Sequence, residues 1–181
     1  MSEVTSAAHS SRPLYIACRL LPRVLISQPS LEAVMYTHIL IPTDGSELAQ
    51  RGVDHGLSLA KALGSNVTII TASAPFPLPV SRISWGIKHD DIDRYAANCR
   101  TEAEDLLAKI KATATKMGIS ATTTYVPDTS PATAILETAK QATCNLIVMA
   151  SHGRRGVERL LLGSQAAEVV SNSPIPVLIV P

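Results

Sequence analysis

The chain has 181 residues, of which 46% are apolar and 3% aromatic, and its formal net charge is +1. This length fits one domain with a substantial core, and the apolar content excludes a disordered chain. The near-neutral charge gives no electrostatic reason to expect nucleic acid or an anionic membrane as a partner. Three scattered cysteines without a C-x-x-C pair indicate a reducing compartment and no disulfide framework.

Residues 1–34 differ in pattern from the rest of the chain. Their segment LYIACRLLPRVLI (14–26) is apolar, but Arg19 and Arg23 make it too charged and too short for a membrane span or a signal core. A leader rich in Ser and Arg is compatible with an organellar transit peptide. A start codon assigned too early is the favoured alternative, because Met35 stands directly before the first convincing strand. We therefore predict an N-terminal extension over 1–34, disordered or mis-assigned, and a folded domain over 35–181.

From Met35 onward the pattern alternates between strand and helix. Short apolar or β-branched runs predict five strands, at 37–43, 66–74, 121–127, 145–150 and 176–180. Helical spacing predicts helices at 47–64, 92–117 and 163–172. A fourth helix is predicted to begin at Pro131, with Ser130 as its N-cap. This alternation predicts an α/β fold: an open, doubly wound, five-stranded parallel sheet with helices on both faces, Rossmann-like.

The first predicted helix carries two glycines on its apolar side. Gly52 and Gly56 share one i, i+4 column with Leu48 and Ala60. Each glycine costs the helix about 1 kcal/mol, so we expect a compensating close approach of this helix to the sheet. Gly64 is the expected C-cap.

Two loops at strand ends stand out as a candidate ligand site. In open α/β sheets, ligands bind outside the carboxyl ends of the strands, at the switch point of the strand order. The loops PTDGS (42–46) and ASHGRRGVERLLLGS (150–164) follow the first and fourth strands and are the richest in Gly, Ser and Asp. The sequence therefore predicts that these loops hold the ligand.

The chemistry of the later loop favours a phosphate. Gly163 and Ser164 directly precede the last predicted helix, so they would form a helix N-terminus with free N–H groups for an anion. The alternative for this pair is an ordinary N-cap. Arg154, Arg155 and Arg159 could neutralise phosphate charge, or they could form a solvated surface.

Two further side chains have alternative roles. Asp44 could accept a hydrogen bond from a ribose hydroxyl or hold a hydrated Mg²⁺, or it could share the capping of the next helix with Ser46. His152 could reach a phosphate or act as a base, or it could be structural and bond the backbone. No second His, Cys or acid lies near His152 at ligand spacing, so no metal site within the protein is predicted.

These motifs resemble those of the universal stress protein family over residues 35–181. HILIPTDGS (38–46) resembles the opening strand and acidic loop of the family, and SPIPVLIVP (173–181) resembles its closing strand. The nucleotide signature G-x₂-G-x₉-G-[S/T] is matched by Ala150, Gly153 and the pair Gly163-Ser164. Ala150 departs from the first glycine of that signature. At the end of a strand its φ should be negative, and its methyl group is the smallest possible intrusion.

The resemblance implies an ATP- or AMP-binding regulatory module of the stress response, usually a cytoplasmic homodimer. It implies dimerisation through the C-terminal strand 176–180, an unknown protein partner, and ATP as ligand, with AMP or ADP as alternatives and Mg²⁺ held through the phosphates. The implied ligand contacts, together with their neighbours in the two loops, are Pro42, Thr43, Asp44, Ala72, Met149, Ala150, His152, Gly153, Arg154, Gly163, Ser164 and Gln165.

Two alternative functions remain open at this stage. The first is a stress protein that binds no nucleotide and acts through protein contacts. The second is an enzyme that hydrolyses ATP slowly. The sequence has no G-x-x-x-x-G-K-[ST] loop, and no catalytic residue is predicted. We expect any bound ATP to be held rather than rapidly consumed.

Overall fold

The computed structural model describes residues 36–75, 89–153 and 162–181. The predicted extension over 1–34 lies outside these residues, as do Arg154, Arg155 and Arg159. The elements in chain order are β1 His38–Pro42, α1 Glu47–Leu63, β2 Asn66–Ala72, α2 His89–Lys116, β3 Ala121–Val126, α3 Pro131–Gln141, β4 Leu146–Ala150, α4 Ser164–Asn172 and β5 Val177–Val180. Their order and types confirm the predicted alternation.

The five strands form one parallel sheet with the order β3-β2-β1-β4-β5. The chain leaves β1 toward β2 on one side and later returns to place β4 on the other side of β1. This reversal confirms the predicted doubly wound sheet and makes the boundary between β1 and β4 its switch point. The sheet edges are β3 and β5.

Side chains alternate between two cores, one on each face of the sheet. Ile39, Ile69 and Val148 pack with residues of α1 and α2 on one face. Leu40 and Ile147 pack with residues of α3 and α4 on the other. All five residues of β4 are buried, as predicted for a central strand covered on both faces.

Helix α1 approaches the sheet through its two glycines, as predicted. A Cβ on Gly52 would lie 2.8 Å from the backbone nitrogen of Ala150, and one on Gly56 would lie 2.6 Å from Cδ1 of Ile41. Any larger residue at either position would therefore push α1 away from the sheet. At the other end of the helix, Gly64 has φ 68° and forms the expected left-handed C-cap.

Two element bounds differ from the sequence predictions by more than one residue. Helix α2 begins at His89, three residues earlier than predicted, with Asp90 and Asp91 in its first turn, where acidic groups favour the helix dipole. Strand β2 ends at Ala72, two residues early, close to Pro75, which has no N–H for a ladder bond.

Burial on the inward face of α2 decreases toward the N-terminus of the helix. Ala103, Leu107 and Ile110 are buried, whereas Cys99 is half-buried. A helix of 28 residues is about 42 Å long, and a seven-residue strand spans about 23 Å. The helix is therefore longer than the sheet that it covers. None of the helices within the described ranges combines the length and apolar character that a membrane span requires.

Candidate functional site

A cavity of about 500 Å³ opens at the carboxyl end of the sheet, beside the switch point between β1 and β4. Its walls come from the ends of β1, β2 and β4 and from the starts of α1, α3 and α4. The described lining residues are Pro42, Thr43, Asp44, Ala49, Ile70, Ala72, Ala74, Pro75, Ser130, Pro131, Ile135, Met149, Ala150, Ser151, His152, Gly153, Gly163, Ser164, Gln165 and Ala166.

The cavity brings together the predicted site residues. Every one of them that the structure describes contributes to the lining, and Arg154 lies outside the described residues. The two loops singled out from the sequence therefore face one space. The binding role of these residues stays a prediction.

The end of β1 is fixed by hydrogen bonds that turn the chain into α1. The backbone N–H of Thr43 donates to the carbonyl of Ile70 over 2.9 Å, and Thr43 Oγ1 accepts from the N–H of Gly45 over 3.2 Å. Asp44 Oδ1 accepts from the N–H of Ser46 over 3.0 Å. Ser46 Oγ then caps α1 by accepting from the N–H of Ala49 over 3.2 Å. Asp44 therefore shares the shaping of this helix start, and it also faces the cavity.

Gly153 brings the two loops into contact. A Cβ at this position would lie 2.5 Å from Oδ2 of Asp44, a separation that real Cβ atoms do not adopt. The loop after β4 can therefore approach the Asp44 carboxylate only because residue 153 has no side chain. One oxygen of Asp44 holds the turn before α1, and the other lies against the loop after β4.

The start of α4 differs from an ordinary capped helix. Its N-cap is Gly163, with φ −59°, which has no side chain that could cap the first turn. The N–H of Gly163 donates to the carbonyl of Ser151 over 2.9 Å, which ties this start to the end of β4. The negative φ shows that the backbone conformation at residue 163 does not require glycine. A Cβ there would lie 3.3 Å from the Ser151 carbonyl oxygen and 3.4 Å from Cδ2 of His152.

Gln165 makes a contact that the sequence did not reveal. Its Oε1 accepts a hydrogen bond of 3.0 Å from the backbone N–H of Ala132, in the first turn of α3. The resemblance had implied only a contact with the ligand. Since the bonded residues lie 33 positions apart, no local pattern could have indicated the pair.

His152 lies beside this helix start. Its Nδ1 is 3.1 Å from Oγ of Ser151, so its partner is a neighbouring hydroxyl rather than the backbone expected for a structural histidine. Its ring also borders Gly163, as the 3.4 Å contact above shows.

Ala150 fits the strand without strain. Positive φ occurs at two non-glycine residues of the described chain, Asp128 and Thr143, so Ala150 has the negative φ that we predicted. In β4, Val148 belongs to the core under α1 and Met149 to the core under α3 and α4. Alternation therefore directs the Ala150 methyl toward α1, where Gly52 leaves room.

The start of α3 is the part of the wall that sequence reasoning missed. Ser130, Pro131 and Ile135 line the cavity, although we had read the first two only as a cap and a first helical residue. Both of those predictions are confirmed, since Ser130 is the N-cap and α3 begins at Pro131. The missed signal was topological: a helix that follows a parallel strand starts at the carboxyl edge, where ligands bind.

The titratable groups outside the cavity add no second site. Among the described residues, no group of three or more His, Cys, Asp or Glu side chains is arranged to hold a metal ion. Burial raises the pKa of the Cys144 thiol to about 11, against a smaller lowering by a hydrogen bond with Thr68. Cys144 therefore stays protonated at neutral pH, unlike a reactive thiolate.

The parallel sheet with helices on both faces, and the cavity at its switch point, define an α/β domain of the Rossmann-like class. The model of the Universal stress protein family matches residues 35–181, and the chain belongs to this family. A universal stress protein of Methanocaldococcus jannaschii is 32% identical over 148 residues, covering 81% of this chain and 82% of that protein.

Solved structures share the fold. Hypothetical protein MJ0577 matches with a TM-score of 0.68 and 26% identity, over 81% of this chain and 96% of its own. A universal stress protein in complex with cAMP matches with a TM-score of 0.58 and 24% identity, over 81% of this chain and 97% of its own. The protein from Archaeoglobus fulgidus in complex with dAMP matches with a TM-score of 0.56 and 20% identity, over 81% of this chain and 99% of its own.

Proposed function

We propose that this universal stress protein binds an adenine nucleotide in the cavity, with ATP as the preferred ligand and AMP or ADP as alternatives. The observation that carries the proposal is the uncapped start of α4, which opens into the same cavity as the Asp44 carboxylate. Two structural relatives were solved with cAMP and with dAMP, which supports an adenine nucleotide as the ligand class. The volume of about 500 Å³ lies within the range of about 300–1,000 Å³ usual for small-molecule sites.

The chemistry of the walls gives the proposed orientation of the nucleotide. The phosphates would lie at the start of α4, where backbone N–H groups and the helix dipole favour an anion. The ribose would lie near Asp44, whose carboxylate can accept from hydroxyl groups. The base would lie against the apolar wall of Ile70, Ala72 and Ile135. Mg²⁺ would be held mainly by the phosphates, as is usual for nucleotide-bound magnesium.

The same arrangement supports a regulatory module rather than an enzyme. Phosphoryl transfer needs a positioned nucleophile and concentrated positive charge around the transferred group. His152 is the described cavity residue closest to such a role, and its Nδ1 partner is Ser151, which does not orient a water. We therefore propose that bound nucleotide changes the shape or the partners of the protein during stress, in the cytoplasm, as the resemblance implies.

Native-state nucleotide content tests this function directly. The purified protein is denatured, and released small molecules are identified by mass spectrometry. The stripped protein is then titrated with ATP, ADP, AMP and cAMP by calorimetry. We expect adenine nucleotide to be released and to rebind at one site per chain. Absence of both results would contradict nucleotide binding and favour a protein that acts through protein contacts alone.

We also propose a homodimer formed through β5. This strand lies at an edge of the described sheet, and Val177, Leu178 and Ile179 are only half-buried there. An apolar edge strand readily pairs with another chain. Light scattering at micromolar concentration should give the mass of two chains, and a monomer under those conditions would contradict this proposal.

A further inference from the structure

The starts of α3 and α4 are joined across the cavity wall by one side chain. Gln165, in the first turn of α4, accepts a hydrogen bond from the N–H of Ala132, in the first turn of α3, over 3.0 Å. Only the amide oxygen of Gln165 can accept from an N–H donor, so this bond fixes which end of the amide faces α3.

This bond completes the hydrogen bonding of the first turn of α3. Pro131, the first helical residue, has no N–H. The N–H of Ala132 donates to Gln165, and that of Thr133 donates to Ser130 Oγ over 3.3 Å. The N–H of Ala134 donates to the carbonyl of Ser130 over 3.0 Å, as the first bond of the helix itself. The donors that a helix start usually leaves for an anion are therefore occupied in α3.

We infer that Gln165 is a positioning residue of the cavity. Its hydrogen bond with Ala132, here called the clip, holds the start of α4 against the start of α3. The clip fixes the separation between the apolar wall at Pro131 and Ile135 and the anion-accessible start at Ser164. The clip also occupies a backbone N–H donor at the start of α3. The phosphates are therefore bound at the start of α4 rather than at the start of α3. The effect of the clip on ligands rests on the proposed function, whereas the clip itself does not.

The affinity of a ligand should depend on the clip according to how many of the two walls the ligand contacts. A nucleotide contacts both walls, the base near α3 and the phosphates at α4, so its affinity depends on their separation. Inorganic phosphate contacts α4 alone, so its affinity depends less on the clip. A general loss of structure would weaken both ligands by the same factor.

A first experiment tests the clip without any ligand. Amide hydrogen exchange at Ala132 is compared in the wild type, Gln165→Met and Gln165→Glu. Met keeps the length of the side chain but has no strong acceptor, whereas Glu keeps an oxygen acceptor. We expect exchange at Ala132 to accelerate about fivefold or more in Gln165→Met, the size of one net hydrogen bond, and to stay slow in Gln165→Glu. Unchanged exchange in Gln165→Met would overturn the inference.

A second experiment measures the affinities of AMP and inorganic phosphate by NMR titration of the wild type and Gln165→Met. We expect the AMP affinity to fall about fivefold and the phosphate affinity to fall by a smaller factor. Equal losses for both ligands, or no loss for AMP, would refute the positioning role. If the wild type binds no AMP, the proposed function fails, and the exchange at Ala132 still decides whether Gln165 holds α3.

Discussion

Three helices begin at the wall of the cavity, and their starts are built differently. Ser46 caps α1 and Ser130 caps α3, each by accepting a hydrogen bond from the backbone N–H three residues later. Gly163 precedes α4 and gives it no side-chain cap. Each capped start has one backbone donor bonded to the side chain of its N-cap residue, whereas the N-cap residue of α4 makes no such bond.

The difference between capped and uncapped helix starts predicts which substitutions change stability and which change ligand binding. A side-chain cap contributes about 1 kcal/mol to the free energy of unfolding. A helix start without such a cap forgoes this contribution and leaves a positive dipole end accessible to an anion. Substitutions that add a cap to α4 should therefore weaken binding, and substitutions that remove a cap from α1 should reduce stability alone.

Gly163→Asp should have the largest effect, because it gives α4 the cap that it lacks. The carboxylate would accept hydrogen bonds from the N–H groups proposed to bind the phosphates. Its negative charge would also repel the phosphates. Each hydrogen bond to a charged group contributes about 1.5–3 kcal/mol, so we expect the ATP affinity to fall about 100-fold or more. Calorimetry measures this affinity, and thermal unfolding should show that the variant stays folded.

Gly163→Ser is the matched neutral control for that change. It adds a similar cap at the same backbone position without a charge, so we expect a smaller loss of affinity than in the Asp variant. Equal ATP binding by both variants and the wild type would show that the phosphates do not lie at the start of α4.

Gly153→Ala should have the second largest effect. Its methyl group would occupy the position 2.5 Å from Oδ2 of Asp44, so the carboxylate must move out of its place beside the cavity. Loss of one hydrogen bond to this charged group predicts a decrease of about tenfold in nucleotide affinity. The measurement is a calorimetric titration with AMP.

A double-mutant cycle shows whether that loss acts through Asp44. In an Asp44→Ala background, Gly153→Ala should cause no further decrease, because the clashing oxygen is already gone. Additive losses would mean that Gly153 contacts the ligand itself.

Ser46→Ala tests a capped start and should change stability only. The substitution removes the acceptor for the N–H of Ala49, and we expect the free energy of unfolding to decrease by about 1 kcal/mol. Ser46 is not among the described lining residues of the cavity, so the AMP affinity of the folded protein should stay within about twofold, within the scatter of uncoupled sites. Denaturant titration gives the first quantity, and a lost affinity would contradict the division between capped and uncapped starts.

Much of the fold could be predicted because its signals are local. Apolar patterns and capping signals located all nine described elements, and the glycines of α1 predicted its close approach to the sheet, which the contact of Gly52 with Ala150 confirms. Bounds were less certain where a helix extends beyond the sheet, because the exposed end of α2 has a weaker apolar pattern. Its start at His89 was therefore missed.

The cavity was only partly predictable, because its walls join distant segments. The Gly and Ser spacing identified both loops, and the structure brings them together at Asp44 and Gly153. The start of α3 and the bond from Ala132 to Gln165 were missed. Such contacts depend on how helices 33 residues apart pack, which no local spacing encodes.

His152→Ala should have the smallest effect and completes the comparison. The His152 ring borders Gly163 at the start of α4. Among the described side chains, it is therefore the candidate base for ATP hydrolysis. Its Nδ1 lies 3.1 Å from Ser151 Oγ, and the placement that catalysis demands is tighter than a glycine-flanked loop usually provides. We expect phosphate release from ATP well below the ~10 s⁻¹ typical of enzymes. Single-turnover assays should give the same slow rate for the wild type and the variant. Rapid release that this one change abolishes would assign the start of α4 to catalysis rather than to retention of the nucleotide.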